Sequence, residues 1–244
     1  MQNIALIFAG GTGSRMGNTE KPKQFLNIDD KPIIVHTLEK FNNCSAIDGI
    51  VVTILAEYID YMKELVAEYS LDKVQWIVEG GETGQLSIFN GLDAVYKDDR
   101  TCENTVVLIH DGVRPIISEN LILENIVTTR THGAAVTVAP ATETVFKSED
   151  KAKIMEVLKR EDLFYARAPQ TFFMKDIYNT HLKEMDLGIT NNIDSCSMMY
   201  KYNHAMSFVL GNSSNIKITN YEDYFIFEAL YNLNKKREEG QVLS

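Results

Sequence analysis

Short apolar runs separated by amphipathic stretches recur along this chain, and that alternation limits its fold more than any other feature. Ile4–Phe8, Gly49–Ile54, Val74–Val78, Thr105–Ile109 and Ala134–Val138 are bounded by turn residues and read as buried strands. Between them lie segments with apolar residues at helical spacing: Lys31–Phe41 with Pro32 in its first turn, Tyr58–Tyr69, the stretch running to Tyr96, and Glu119–Thr131. The pattern predicts an α/β, Rossmann-like fold: a mostly parallel sheet with helices on both faces. Such sheets bind ligands at the carboxyl ends of their strands. Three loops leave strands at that edge, at Gly10–Gly17, Gly80-Gly81 and His110–Pro115, and are expected to face one site.

Beyond Pro140 the pattern changes. Residues 140–167 alternate on either side of a charged turn and predict a two-stranded β-arm protruding from the sheet. An isolated hairpin cannot bury both of its faces, so the arm is expected to pack on a second copy as a homodimerisation element. Ala168–Phe172 returns to the body, Lys175–Leu187 and Asp194–Tyr202 read as helices, and Ala205–Leu210 and Asn215–Thr219 as strands. Asn220 is placed to cap a final helix over Glu222–Lys236. With 244 residues and 45% apolar content, the expectation is a single domain over 1–244 with 140–167 as its arm.

A net charge of −10 argues against nucleic-acid and anionic-membrane surfaces, so an anionic substrate must be met by locally clustered cations. Cys44, Cys102 and Cys196 lack metal-ligand spacing and read as reduced thiols of a cytoplasmic protein, and no apolar run is long enough to cross a membrane.

Such cations follow the first strand. Gly10-Gly11-Thr12-Gly13-Ser14-Arg15-Met16-Gly17 exposes backbone N–H groups, and Arg15, Lys21 and Lys23 come directly after or within it. Donors and cations together suit a polyphosphate. The spacing from Gly11 through Gly13 to Gly17 is one residue too long for the dinucleotide fingerprint, and Asn18 stands where a Walker loop needs Lys. The competing reading is a flexible turn with solvated cations. Asp111, at the end of a buried strand, reads either as a Mg²⁺ ligand or as an Asx turn. Arg114 reads as a phosphate ligand, as a group orienting Asp111, or as a surface cation.

The full string A-G-G-x-G-S-R-M-G…P-K-Q-F-L from Ala9 to Leu26 resembles the signature of the CTP-dependent polyol-phosphate cytidylyltransferases. That family includes ribitol-5-phosphate and 2-C-methyl-D-erythritol 4-phosphate cytidylyltransferases. His110-Asp111-x-x-Arg114-Pro115, Pro169-Gln170 and Asn215-Ile216-Lys217-Ile218-Thr219 resemble further motifs of it, in the same order. The resemblance implies CMP transfer from CTP to a phosphorylated polyol with Mg²⁺ held at Asp111, in a homodimer. Catalytic roles fall on Arg15, Lys23 and Lys217, and nucleotide binding on Ala9, Gly10, Gly11, Gly13, Gly80, Gly81 and Ser87. Acceptor binding falls on Arg114, Asp194 and Arg160, the last reaching across the dimer.

The chain also departs from the family pattern, with Gly84 for an Arg, Ile193 for a Thr and Ala168 for the Thr of T-P-Q. Ser87 has a packing alternative, and Asp194 reads equally as a helix N-cap. Val113, the Asp194–Cys196 segment and Lys31–Thr37 look closer to the ribitol-phosphate branch than to the methylerythritol-phosphate branch. Other readings are a non-catalytic nucleotide-binding protein on this fold and, against the loop spacing, a dehydrogenase.

Overall fold

The structure, a computed structural model, describes residues 2–11 and 21–238. Gly13 and Arg15 lie outside the described residues. In chain order the elements are β1 (Asn3–Phe8), β2 (Asn27–Ile28), β3 (Lys31–Pro32), α1 (Ile33–Asn42), β4 (Gly49–Ile54), α2 (Ile59–Glu68), β5 (Val74–Glu79) and α3 (Gly84–Tyr96). Then follow β6 (Val106–Asp111), α4 (Glu119–His132), β7 (Ala134–Pro140), β8 (Phe146–Lys147), β9 (Glu156–Val157), β10 (Phe164–Phe173), α5 (Met174–Asp186), α6 (Ser195–Lys201), β11 (Ser207–Leu210) and α7 (Tyr221–Glu238).

Seven strands form one sheet in the order β11-β7-β10-β6-β1-β4-β5. Every pairing is parallel except those of β10, which runs antiparallel between β6 and β7. Helices cover both faces because β1 alternates its buried side chains. Ala5 and Ile7 pack with Leu38, Phe41, Met62, Leu121 and Ile122 of α1, α2 and α4. Ile4 and Leu6 pack with Leu92, Val95, Ile177 and Met198 of α3, α5 and α6. Each fully buried Ile or Leu contributes about 1.5–3 kcal/mol, which explains the continuous apolar runs in the central strands.

β2 and β3 form a tight hairpin in which Asp29 and Asp30 take φ of 51° and 59°, so the turn read at these residues is present. Asn220 accepts the Asp223 amide at 2.8 Å and caps α7 as expected. β8 and β9 pair antiparallel in an exposed hairpin within 140–167. The segment 215–219 is not the strand its alternation predicts. Its Ile218 packs against Ile33, Val113 and Phe227 beneath α7, and its ladder-like contact is the single Ile218 N–H donating to the Val113 carbonyl at 3.0 Å. Tertiary burial has overridden the local pattern.

β10 is the feature that shapes the site. Its ladder with β7 breaks between Ala166 and Gln170, leaving residues 167–169 out of the regular pairing. Irregularities of this kind re-aim side chains beside functional clefts.

Candidate active site

The loops after β1, β5 and β6 meet at one sheet edge. The Ala9 amide donates to the Thr53 carbonyl at 2.8 Å, that of Gly80 to Ile54 at 2.7 Å, and that of Gly112 to Phe8 at 3.0 Å. Side chains are excluded where these loops touch. A Cβ on Gly10 would lie 3.0 Å from Ser87 Oγ, and one on Gly81 would lie 2.3 Å from the Leu86 Cβ. Gln24 fixes the first loop by donating to the Ala9 carbonyl at 2.8 Å, which leaves the Gly10 and Gly11 amides with no protein acceptor among the described residues. Both glycines line a cavity of about 430 Å³, together with Ala9, Lys23, Gly81 and Ser87.

Ser87 is fully buried and holds the second loop: its hydroxyl accepts the Gly81 amide at 3.0 Å and donates to the Thr83 carbonyl at 2.9 Å. The amides of Gly80 and Gly81, residues that the resemblance assigns to nucleotide binding, are thus bonded within the protein, to the Ile54 carbonyl and to Ser87 Oγ. Lys23, in a short 3-10 turn, donates to the Ile218 carbonyl at 2.9 Å and joins the glycine loop to the 215–219 segment.

Asp111 closes this cavity on one side. It is 6% exposed at the end of β6, its Oδ1 is 2.5 Å from Lys217 Nζ, and its Oδ2 accepts Arg114 Nε at 2.7 Å. Arg114 is itself buried and donates through Nη1 to the Asn215 carbonyl at 2.9 Å, while Asn215 Nδ2 donates to Ala168 at 2.7 Å. Arg114 thus orients Asp111 and pins the loop that carries Lys217. Burial pushes the Asp111 carboxyl up, but Lys217 and Arg114 outweigh it and hold the group down at about 2. His110, wholly buried behind it with Nε2 bonded to the Arg114 carbonyl at 3.0 Å, is pulled down by burial to about 4 and is uncharged near neutrality.

A second cavity of about 280 Å³ lies on the other side of the same wall. Phe8, Gly84, Asp111 and Lys217 line both cavities. The rest of the second one comes from α3, from Ile109 and Arg114, from β10 around its interruption (Ala166, Arg167, Ala168, Gln170), from His181 on α5 and from the entry to α6. Asp194 is there, and its Oδ1 accepts the Ser197 amide at 2.8 Å, so the helix-cap reading holds and the carboxylate also stands on the cavity wall.

Arg160 does not reach either cavity of its own chain. It sits on an exposed turn of the arm with Nη1 3.4 Å from the Thr142 carbonyl. Sequence reasoning missed Arg167, half-buried, with an Nε that has no partner among the described residues and with burial lowering its affinity for a proton. It also missed the anchoring role of Gln24, and it missed His181. The available signal for Arg167 was its position immediately before Ala168-Pro169-Gln170.

The family described as 2-C-methyl-D-erythritol 4-phosphate cytidylyltransferase matches residues 3–232. The chain belongs to this cytidylyltransferase family. It is an enzyme of the nucleotidyltransferase type. A ribitol-5-phosphate cytidylyltransferase of Streptococcus agalactiae serotype V is 47% identical over 242 residues, 99% of each chain. Its namesake from Vibrio parahaemolyticus serotype O3:K6 is 45% identical over 228 residues, 93% of this chain and 95% of the other. The crystal structure of 4-diphosphocytidyl-2C-methyl-D-erythritol synthase from Anaerococcus prevotii DSM 20548 superposes with a TM-score of 0.82 at 28% identity, covering 95% of this chain and 96% of that one. No described helix is long and apolar enough to cross a membrane.

Proposed function

We propose that this cytidylyltransferase transfers CMP from CTP to D-ribitol 5-phosphate, giving CDP-ribitol and pyrophosphate. The observation that carries the reading is the shared wall: a cavity framed by glycine loops and a second lined by side chains meet at Asp111 and Lys217. Two phosphorylated substrates placed on opposite sides would bring their phosphates together at that wall. The relatives named for ribitol 5-phosphate, at 45–47% identity, support this acceptor over methylerythritol phosphate.

In this reading the Gly10 and Gly11 amides and Lys23 hold the triphosphate, with Arg15 on the same loop. Arg114, Arg167 and Lys217 receive the acceptor phosphate, one oxygen of which attacks the α-phosphorus in line. The new P–O bond forms as the bond to pyrophosphate breaks, and the cations offset the charge that builds on both. No covalent nucleophile is needed.

Asp111 suits Mg²⁺. Each of its oxygens has one cationic partner and a remaining lone pair, and no described cluster of three His, Cys, Asp or Glu could hold a metal without substrate. Mg²⁺ prefers one or two carboxylates plus phosphate oxygens and water, and when bound it would neutralise phosphate charge. In the same reading the arm joins two copies. Phe146, Ile154, Met155 and Val157 leave it with exposed apolar surface, and Arg160 on it is the candidate to reach a partner's acceptor site.

The test is pyrophosphate release with CTP and Mg²⁺, comparing ribitol 5-phosphate with 2-C-methyl-D-erythritol 4-phosphate. Turnover with the first alone is expected. Turnover with the second alone overturns the acceptor assignment.

A further inference from the structure

His181 lies on α5, 1% exposed, and neither its Nδ1 nor its Nε2 has a hydrogen-bond partner among the described residues. Buried polar groups are almost always paired, so an imidazole with both nitrogens open calls for a reason. The other two buried histidines each have one ring nitrogen bonded, His36 Nε2 at the Ile28 carbonyl (2.9 Å) and His110 Nε2 at that of Arg114 (3.0 Å), so His181 differs in having both nitrogens unbonded among the described residues. What His181 does border is the second cavity. Phe89, whose ring centroid is 6.0 Å away, gives it an apolar neighbour that offers no bond.

The polar side chains nearby cannot supply what His181 lacks. Gln85 donates to the Ile189 carbonyl and accepts from Asn192, Asn192 donates to Glu184, and Gln170 accepts the Cys196 amide at 2.9 Å. These amides are already committed. The cationic groups of the cavity, Arg114, Arg167 and Lys217, provide for the phosphate. Burial lowers the His181 pKa to about 4, so the ring carries one donor and one acceptor near neutrality. A hydroxyl, which can donate and accept, is the group that complements it.

We propose that His181 binds a hydroxyl on the carbon chain of the acceptor and sets specificity for a polyhydroxy substrate. The proposal rests on the function proposed above and names which wall residue reads the chain rather than its phosphate.

The experiment is a substrate–enzyme cycle. Wild type, His181→Leu and His181→Gln are assayed with CTP and ribitol 5-phosphate or its monodeoxy analogues, each lacking one hydroxyl. His181→Leu should lower kcat/KM for ribitol 5-phosphate about 10- to 100-fold with KM for CTP moved less than about twofold. One analogue should already show that loss with wild type and lose little more with the Leu variant, and His181→Gln should recover part of the difference. Equal losses for every analogue, or a parallel rise in KM for CTP, overturn the proposal. Should His181→Leu fail to fold, His181→Gln decides: a changed order of preference among the analogues supports the assignment and an unchanged order overturns it. Wild type inactive with every polyol phosphate overturns the functional reading and this proposal together, an outcome distinct from active wild type with uncoupled variants.

Discussion

The two cavities are built from different materials. The nucleotide side is framed by backbone: the Gly10 and Gly11 amides, a glycine contact against Ser87, and carbonyls tied by Gln24. The acceptor side is lined mainly by side chains from α3, β10 and the entry to α6, and among its residues Arg167 and His181 carry side-chain nitrogens with no partner among the described residues. A backbone frame tolerates few substitutions, because adding any Cβ at the tight positions forces a clash. A side-chain wall can exchange one donor for another without altering the fold. Of the three departures noted in the sequence, Ile193 and Ala168 lie on the second wall and Gly84 borders both cavities.

Lys217→Ala should bring the largest loss, since Lys217 borders both cavities. We expect kcat to fall roughly 10³-fold with the circular dichroism spectrum unchanged. A small loss in kcat would break the claim that the two sides meet there.

Acid should weaken the fold through histidines at and behind the acceptor wall. Burial lowers His110 and His181 from 6.5 to about 4, so between those pH values the unfolded chain binds protons that the folded chain refuses. Stability is fully present above pH 6.5 and falls as pH drops toward 4, by on the order of 3 kcal/mol per histidine. Asp111 adds a further loss only from 3.8 down toward 2. Urea melts between pH 7 and 4.5 measure this, and a flat profile would show that the histidines are hydrated.

A pair of variants sharpens the contrast between the sides. Gly81→Ala should destabilise by about 1–3 kcal/mol through the contact with Leu86 and raise KM for CTP. Arg167→Ala should leave the melting temperature nearly unchanged and raise KM for the acceptor about tenfold. Parallel shifts in both constants for either variant would mean that the sides are not separable. Smallest of all, Ile193→Thr, at a residue 94% exposed, should change stability by less than about 0.5 kcal/mol and acceptor KM by no more than a few-fold.

This contrast also explains what could be read from sequence. The nucleotide side was legible because a buried strand running into glycines leaves a local signature, and Asp111 was legible because it ends such a strand. Lys217 came from the resemblance, while its own segment misled. Ile216 and Ile218 alternate with Lys217 and Thr219 as in a strand, yet the partner of Ile218 is Phe227, brought by a helix further along the chain. Arg167 had only its place beside Ala168-Pro169-Gln170 as a sign, and His181 had none. Their significance depends on β10 entering antiparallel between β6 and β7, and on α5 packing behind the cavity, neither of which a window of neighbours can reveal.

The break in the β10 ladder has a mechanical consequence. Its first residues, Phe164 to Ala166, pair with β7 at the root of the arm, and its last, Gln170 to Phe173, are locked against β6. Between these two anchored lengths, residues 167–169 lie outside the ladder and are held instead through the Ala168 carbonyl, which accepts from Asn215. A pull on the arm would therefore pass through Ala168 to Asn215 and Arg114, and so to Asp111 on the wall between the two cavities, as well as along the sheet.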